Sequence, residues 1–197
     1  MTRMKYTAGF TLVETLVAIT FLIVAIVAPM SLVSQSLSAA FYARDQMTAY
    51  NLAQEGIESV RAIRDGNILE NVLTSSSFDL LRDIPIGRPF TIDARESTAA
   101  DAIGNCPAAP SVVPCDPLQT DGTLYGYARP SETGWTDTVF TRTLTAAYVG
   151  AAADNGGRDV IRVSSTVSWN LSNGKSRTFT ISENMYRWIE DGAADDD

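Results

Sequence analysis

The sequence predicts an α+β protein in which one long N-terminal helix packs part of its length on an antiparallel β-sheet. An apolar run from Phe10 to Val33 passes into an amphipathic pattern that ends near Asp65, and alternating polar and apolar residues follow from Thr138 onward. Apolar residues that recur every three or four positions indicate a helix face, whereas strict alternation indicates a strand. We expect a lollipop shape, with a helical stem and a β-rich head.

The composition excludes several functional classes. The chain has 197 residues, a formal net charge of −8 and no histidine. Histidine is the commonest general base and metal ligand. Lys and Arg are the residues that grip nucleic-acid phosphates. No Gly-Lys-Ser/Thr phosphate loop or nucleophile elbow occurs in the sequence. We therefore expect no enzymatic activity, no cofactor and no nucleic-acid partner.

The apolar run from Phe10 to Val33 is long enough to cross a membrane. As a helix it spans about 36 Å, against a hydrocarbon core of about 30 Å. Arg3 and Lys5 precede it, and no acidic residue does. Because cytoplasmic flanks carry the excess of basic residues, the N-terminus is expected in the cytoplasm and the head outside.

Glu14 is the one charged residue in this apolar run. A carboxylate in a membrane-length helix costs about 3 kcal/mol unless it is paired. A cleaved secretory signal could use Ser38-Ala39-Ala40, but its apolar region is normally much shorter and uncharged. A plain membrane anchor explains the length of the run and its basic flank but not Glu14. A partner from outside the segment is therefore implied.

The stretch Gly9-Phe10-Thr11-Leu12-Val13-Glu14 closely resembles the processing site of type IV prepilins and of type II secretion pseudopilins. The resemblance continues to about residue 65, and covers the rest only in general plan. It implies that a membrane prepilin peptidase cuts between Gly9 and Phe10 and N-methylates Phe10. It also implies that Glu14 pairs with the N-terminus of a neighbouring subunit. Pro29 is then either a helix-loosening position or a tolerated membrane proline.

The resemblance also implies a function, a set of partners and a location. The expected function is that of a minor structural subunit of a type IV pilus-like filament. A type II secretion pseudopilin and a filament-tip adhesin or DNA-uptake module are the alternatives. Expected partners are prepilin peptidase, other pilin or pseudopilin subunits, an inner-membrane assembly platform and, before assembly, lipid. The chain would begin as a single-pass inner-membrane protein and end in an extracellular or periplasmic filament.

The amphipathic helix that follows the apolar run is expected to dock on the head. Its apolar positions recur most regularly from Ala49 on, and Asp65-Gly66-Asn67 is a typical stop signal. Gly56 costs about 1 kcal/mol relative to Ala within a helix, and close packing is its expected benefit. The predicted segments are a leader at 1–9, a transmembrane or filament-core helix at 10–33, an amphipathic helix at 34–65, a variable region at 66–135, an antiparallel meander at 136–190 and an acidic tail at 191–197.

The meander is the clearest part of the head. One strand has apolar Ile161, Val163, Val167 and Trp169 on one face and polar Arg162, Ser164, Thr166 and Ser168 on the other. Asn173-Gly174 predicts a two-residue hairpin turn before the return strand. By contrast, Cys106 to Pro130 is rich in Pro, Gly and Asp, which predicts a long surface loop.

Two small sites remain open from sequence. In an extracytoplasmic head, a disulfide between Cys106 and Cys115 is favoured over two reduced thiols. Asp154, Asn155 and Asp159 offer oxygen ligands for calcium, although their spacing matches no strict calcium motif and a plain hairpin loop is the favoured reading.

Overall fold

The computed structural model describes residues 9–75, 81–96, 98–107, 115–150, 160–171 and 174–186. It confirms the predicted α+β class, with one long helix followed by antiparallel sheet. The elements in chain order are α1 (Leu12–Thr74), β1 (Phe90–Ile92), α2 (Ala99–Ala102), β2 (Ile103–Asn105), β3 (Gln119–Thr120), β4 (Tyr125–Gly126), β5 (Thr136–Asp137), β6 (Phe140–Tyr148), β7 (Val160–Asn170) and β8 (Ser176–Tyr186).

Helix α1 is 63 residues long and continues to Thr74, so the predicted end at Asp65 is wrong. Gly66 does not adopt the left-handed conformation with which a glycine commonly ends a helix. Asn67 is buried at 6% exposure instead of leaving the helix for solvent. In the added turns, Glu70 pairs with Arg82 Nη2 at 2.8 Å. Tertiary contacts therefore override the local stop signal.

The chain forms two compact units, residues 1–45 and residues 46–197. The described part of the first unit consists of residues 9–45, which are almost entirely helical. The second unit contains the remainder of α1 and two β-sheets.

The larger sheet has five antiparallel strands in the order β2-β1-β6-β7-β8. The predicted meander is confirmed as β6, β7 and β8, and the predicted apolar face of β7 is buried. Helix α1 packs on that face through residues spaced three and four apart. These helix residues are Ala49, Leu52, Ala53, Ile57 and Val60, and their main sheet partners are Leu144, Ile161, Val163, Val167 and Trp169.

A smaller sheet has three strands in the order β4-β3-β5, and two of them, β3 and β4, lie in the region predicted as a surface loop. That prediction is wrong for Leu118, β3 and β4, whereas residues 121–124 between the two strands are exposed. Leu118 is fully buried, and its N–H donates to the Phe140 carbonyl at 2.8 Å. The Leu118 carbonyl in turn accepts from the Thr138 N–H at 2.8 Å. This segment is thus fixed to the start of β6 by one buried side chain and two backbone hydrogen bonds.

The β7–β8 hairpin is one residue longer than predicted. The Leu171 N–H donates to the Lys175 carbonyl at 2.9 Å, and the Gly174 N–H donates to the Leu171 carbonyl at 2.9 Å. Leu171 and Lys175 are therefore the bonded pair, in place of the pair that the predicted two-residue turn requires. Gly174 has φ +77°, a left-handed conformation that favours glycine, and Asn173 of the predicted turn lies outside the described residues.

Candidate functional site

The N-terminus of α1 contains the predicted processing and assembly residues. Thr11 caps the helix: its Oγ1 accepts the Glu14 N–H at 3.3 Å and its carbonyl accepts the Thr15 N–H at 3.2 Å. Glu14 is therefore the third helical residue, where a carboxylate is favoured by the positive end of the helix dipole. The sequence analysis missed this role of Thr11, although Thr-x-x-Glu is the spacing of a capping box.

The surroundings of Glu14 are apolar and open. Its side chain is exposed, and Phe10, Leu12 and Val13 around it are 69–79% exposed. Within the described ranges, the structure assigns no ion pair to the Glu14 carboxylate. Phe10 and Glu14 thus lie at the same end of one helix, with Gly9 directly before them.

The apolar side chains of this part of α1 are exposed around its whole circumference. A helix that is apolar on every side is normally buried, in a membrane or in a larger assembly. By length and composition, α1 is able to cross a membrane. The exposed large side chains are Phe10, Leu12, Val13, Leu16, Val17, Ile19, Phe21, Leu22, Ile23, Val24, Ile26, Val27, Met30, Leu32 and Val33.

Pro29 lies inside α1 without ending it. The helix is continuous from Leu12 to Thr74 with Pro29 in its interior. A proline removes one backbone hydrogen bond, and membrane helices tolerate this loss. The helix therefore continues through Pro29, and a helix-loosening role for this proline stays a prediction.

Arg142 on β6 ties α1 to the larger sheet. It is fully buried, and its Nη1 donates to the Leu52 carbonyl at 3.0 Å and to Glu55 Oε2 at 2.6 Å. Its Nη2 donates to the Ile92 carbonyl at 2.6 Å. One side chain thus joins α1, β1 and β6. The alternation of β6 places Arg142 on the apolar face between Phe140 and Leu144, and this was the signal that the sequence analysis overlooked.

Gly56 allows the close approach of α1 and the sheet. A Cβ at this position would lie 2.9 Å from Ser165 Oγ and 3.2 Å from Arg142 Cδ. Real Cβ atoms are essentially never found closer than 3.0 Å to such a neighbour. The close packing expected for Gly56 is confirmed, and it explains a glycine in the middle of a helix.

Cys106 and Cys115 form a disulfide. Cys115 is buried at 3% exposure, and Thr143 Oγ1 donates to its sulfur at 3.3 Å. The Thr143 contact therefore holds Cys115 beside β6. Disulfides persist mainly in oxidising compartments outside the cytoplasm.

Asp93 and Arg95 form a second polar cluster in the head. Arg95 donates to the Asp93 carboxylate through Nε at 3.0 Å and Nη2 at 2.7 Å, and its Nη1 donates to Glu132. Burial alone would raise the pKa of Asp93, but the hydrogen bonds from Arg95 and from the Tyr127 amide outweigh burial and lower it. The guanidinium also stacks 4.2 Å from the centre of the Trp135 ring. The cluster fixes the chain after β1 to the smaller sheet's loops.

Metal binding has no support in the described part of the chain. Within residues 9–75, 81–96, 98–107, 115–150, 160–171 and 174–186, no group of three or more acidic or Cys side chains is arranged to hold a metal ion. The calcium candidate formed by Asp154, Asn155 and Asp159 lies outside the described residues, as do the leader up to residue 8 and the acidic tail.

The chain matches no protein-family model, no curated protein and no solved structure. Functional reasoning about it therefore depends on its own residues and their contacts. The most specific of these are the Gly9 to Glu14 motif and the exposed apolar helix that this motif begins.

Proposed function

We propose that this chain is a minor structural subunit of a type IV pilus-like filament, which is processed by prepilin peptidase and assembled through α1. One observation carries the proposal: the Gly9 to Glu14 motif lies at the start of a helix whose apolar side chains are exposed on every side. A motif of six residues can arise by chance in a buried or amphipathic helix. Its coincidence with an uncovered, membrane-length helix supports a role in both the membrane and an assembly.

The chemistry of assembly begins with the cut between Gly9 and Phe10. Cleavage creates an amine at Phe10, which is a cation at the end of an apolar helix. Glu14 supplies an anion one turn further along. Each charge is costly alone in an apolar surrounding, and pairing them compensates both. A pair formed between the Phe10 amine of one subunit and Glu14 of its neighbour would set the axial register of the filament.

The cap on α1 leaves the Glu14 carboxylate available for this pairing. The Thr11 hydroxyl already accepts the Glu14 backbone N–H at 3.3 Å. Thr11 thus satisfies one free N–H at the helix end, and within the described residues no ion pair is assigned to the Glu14 carboxylate. Before assembly, the same apolar surface would lie in lipid, with the leader in the cytoplasm and the disulfide-bonded head outside.

A pseudopilin of type II secretion is the second candidate, because the same processing motif serves both systems. The partners proposed for either are prepilin peptidase, further pilin or pseudopilin subunits and an inner-membrane assembly platform. Filaments on the cell surface favour the pilus. Loss of secreted hydrolases on deletion of the gene, without loss of filaments, favours the pseudopilin.

Mass spectrometry of sheared surface filaments tests the processing step. We expect a mature chain that begins with N-methylated Phe10. As a control, Gly9→Leu should leave the leader attached, because the site requires a small residue before the cut. A chain in the filament fraction that still begins at Met1 would contradict the proposal.

A further inference from the structure

Strand β8 forms one edge of the larger sheet. In the described part of the chain it is the last of five strands and is bonded to β7 alone. The Leu171 N–H donates to the Lys175 carbonyl, and residues bonded to one neighbour alternate along an antiparallel strand. The odd-numbered residues of β8 therefore direct their backbone groups to β7. The backbone groups that point outward are those of Ser176, Thr178, Thr180, Ser182, Asn184 and Tyr186.

This edge has the properties of a strand that accepts a further strand. Natural sheets commonly protect an edge with a proline, with a bulge or by keeping the strand very short. By contrast, β8 is 11 residues long, contains no proline and pairs with β7 in an unbroken register. Its outward N–H and C=O groups are therefore arranged as in the interior of a sheet, where a neighbouring strand would bond to them.

The sequence of β8 is complementary to itself. When two copies run antiparallel with Thr180 opposite Thr180, Arg177 lies opposite Glu183, and Phe179 lies opposite Ile181. Each of these pairs occurs twice, once on either side of the two-fold axis. A shift of the register by two residues in either direction would instead place Arg177 opposite an apolar residue. One register thus matches charge with opposite charge and apolar with apolar side chains.

The backbone of β8 fits the same register. Thr180 has its N–H and C=O on the outer side, so two copies of Thr180 are able to form a hydrogen-bonded pair. Arg177 and Glu183 then belong to the non-hydrogen-bonded pairs, in which opposed side chains lie closest. The register that matches the side chains is therefore also one in which the outward backbone groups meet.

The charges next to this edge favour a further cation. Arg61 on α1 pairs with Glu183 at 2.5 Å and with Glu58 at 2.6 Å, so one guanidinium serves two carboxylates and the three groups carry one net negative charge. The Glu183 side chain remains 37% exposed, and a carboxylate has about four acceptor positions. In the register centred on Thr180, Arg177 of a second copy supplies the missing positive charge.

Apolar side chains beside the same edge are incompletely covered. Phe179 and Ile181 pack on the core of the head but are only partly buried. The ring of Tyr50 lies 5.6 Å from that of Phe179 and Tyr50 is 42% exposed. A second copy would cover these side chains with its own Phe179 and Ile181, which removes apolar surface from water on both sides of the axis.

We propose that β8 pairs antiparallel with β8 of a second copy of this chain, with Thr180 on the two-fold axis. This axis is perpendicular to the sheet, so the docked parts of the two α1 helices lie on the same face and run in opposite directions. Subunits of one filament, as proposed above, share one direction of α1, and the pair would therefore join two filaments. Only this last consequence depends on the proposed function, since the pairing itself concerns the head.

Cysteine cross-linking of the full chain in a neutral detergent tests the pairing and its register. Opposed residues of a hydrogen-bonded pair have Cα atoms about 5.5 Å apart, within the range of about 4.4–6.8 Å that a disulfide spans. Thr180→Cys should therefore form a covalent dimer on mild oxidation with copper phenanthroline. The native cysteines are already bonded to each other.

Thr178→Cys is the matched control, because it lies on the same strand and the same face and is equally exposed. In the proposed register its two copies are about 14 Å apart, so it should form at least about tenfold less dimer than Thr180→Cys. Residue 178 of one copy lies opposite residue 182 of the other. A mixture of Thr178→Cys and Ser182→Cys chains should therefore restore the covalent dimer.

Thr180→Pro tests the edge hydrogen bonds. The Thr180 N–H points outward, so the proline removes a donor from the pairing and none from the ladder between β7 and β8. Mixed Thr178→Cys and Ser182→Cys chains that also carry Thr180→Pro should cross-link at least about tenfold less, with an unfolding temperature close to that of the wild type. If this variant does not fold, Arg177→Glu replaces it and should reduce cross-linking several-fold, because it places like charges opposite each other twice.

The proposal is overturned if Thr180→Cys forms no dimer. It is also overturned if Thr180→Cys and Thr178→Cys cross-link equally, because equal yields indicate random contact within a micelle. Full cross-linking of folded chains that carry Thr180→Pro, or of the Arg177→Glu chains that replace them, would contradict pairing through this edge.

Discussion

The first and second parts of α1 use apolar residues in opposite ways. Between Phe10 and Val33 the large side chains are exposed on every side, whereas between Ala49 and Val60 one face is buried at 0–4% exposure against the larger sheet. The second part packs on the sheet of its own unit, whereas the apolar side chains of the first part are exposed. The stability of the head should therefore respond to changes at the second part and be insensitive to changes at the first.

The largest effect on stability is expected at Arg142. Arg142→Ala removes three hydrogen bonds at a fully buried position and leaves the Leu52 and Ile92 contacts unmade, so we expect a loss of about 3 kcal/mol in the free energy of unfolding. Urea unfolding of the full chain in detergent measures it. Arg162→Ala, on the exposed face, serves as control and should change the free energy by less than about 0.5 kcal/mol. Equal losses for the two substitutions would show that the buried hydrogen bonds of Arg142 do not stabilise the fold.

Alanine substitutions at the two glycines of α1 should change the free energy of unfolding by smaller amounts and in opposite directions. Gly56→Ala should destabilise by about 1–3 kcal/mol, because the added Cβ lies 2.9 Å from Ser165 Oγ. Gly66→Ala should stabilise by up to about 1 kcal/mol, because no atom lies within 4 Å of the added Cβ. Thermal unfolding of both variants compares them directly. A destabilised Gly66→Ala would mean that α1 ends near Asp65 after all.

The smallest expected effect is the dependence of the unfolding temperature on pH. The pKa of Asp93 is lowered in the folded chain, so its contribution is fully present above the ordinary carboxyl pKa of about 4 and is lost as the pH falls below that value. The unfolding temperature should therefore decline between pH 5 and pH 3. Asp93→Asn should start lower and decline less steeply. If the unfolding temperatures of the two proteins declined equally with pH, Asp93 would not be the source of the pH dependence.

Periodic segments were predictable from sequence because their pattern reports burial directly. The alternation of Ile161, Val163, Val167 and Trp169 indicated β7 and its buried face, and the spacing of Ala49, Leu52 and Ala53 indicated the docked face of α1. Contacts that depend on a single residue produce no repeating sequence pattern, so they could not be predicted in this way. The smaller sheet is fixed by Leu118, and its strands are only two residues long, too short for any pattern.

The helix end illustrates the same limit. Asp65-Gly66-Asn67 is a stop signal by local preference, yet Asn67 is buried and Glu70 pairs with Arg82, and neither contact is visible in the local sequence. At the other end of α1, the Thr11 cap was visible in the spacing Thr-x-x-Glu. Under the proposed assembly, the partner of Glu14 is the Phe10 amine of a neighbouring subunit, which a single chain does not contain.

Quantification of filament incorporation for Glu14→Ala tests the central claim most directly. The variant should insert, be cleaved after Gly9 and unfold like the wild type, because the Glu14 side chain is exposed, but its amount in sheared filaments should fall at least about tenfold. Thr11→Ser, which keeps the capping hydroxyl, is the matched control and should enter filaments normally. Wild-type incorporation of a cleaved Glu14→Ala chain would contradict the assembly role of Glu14.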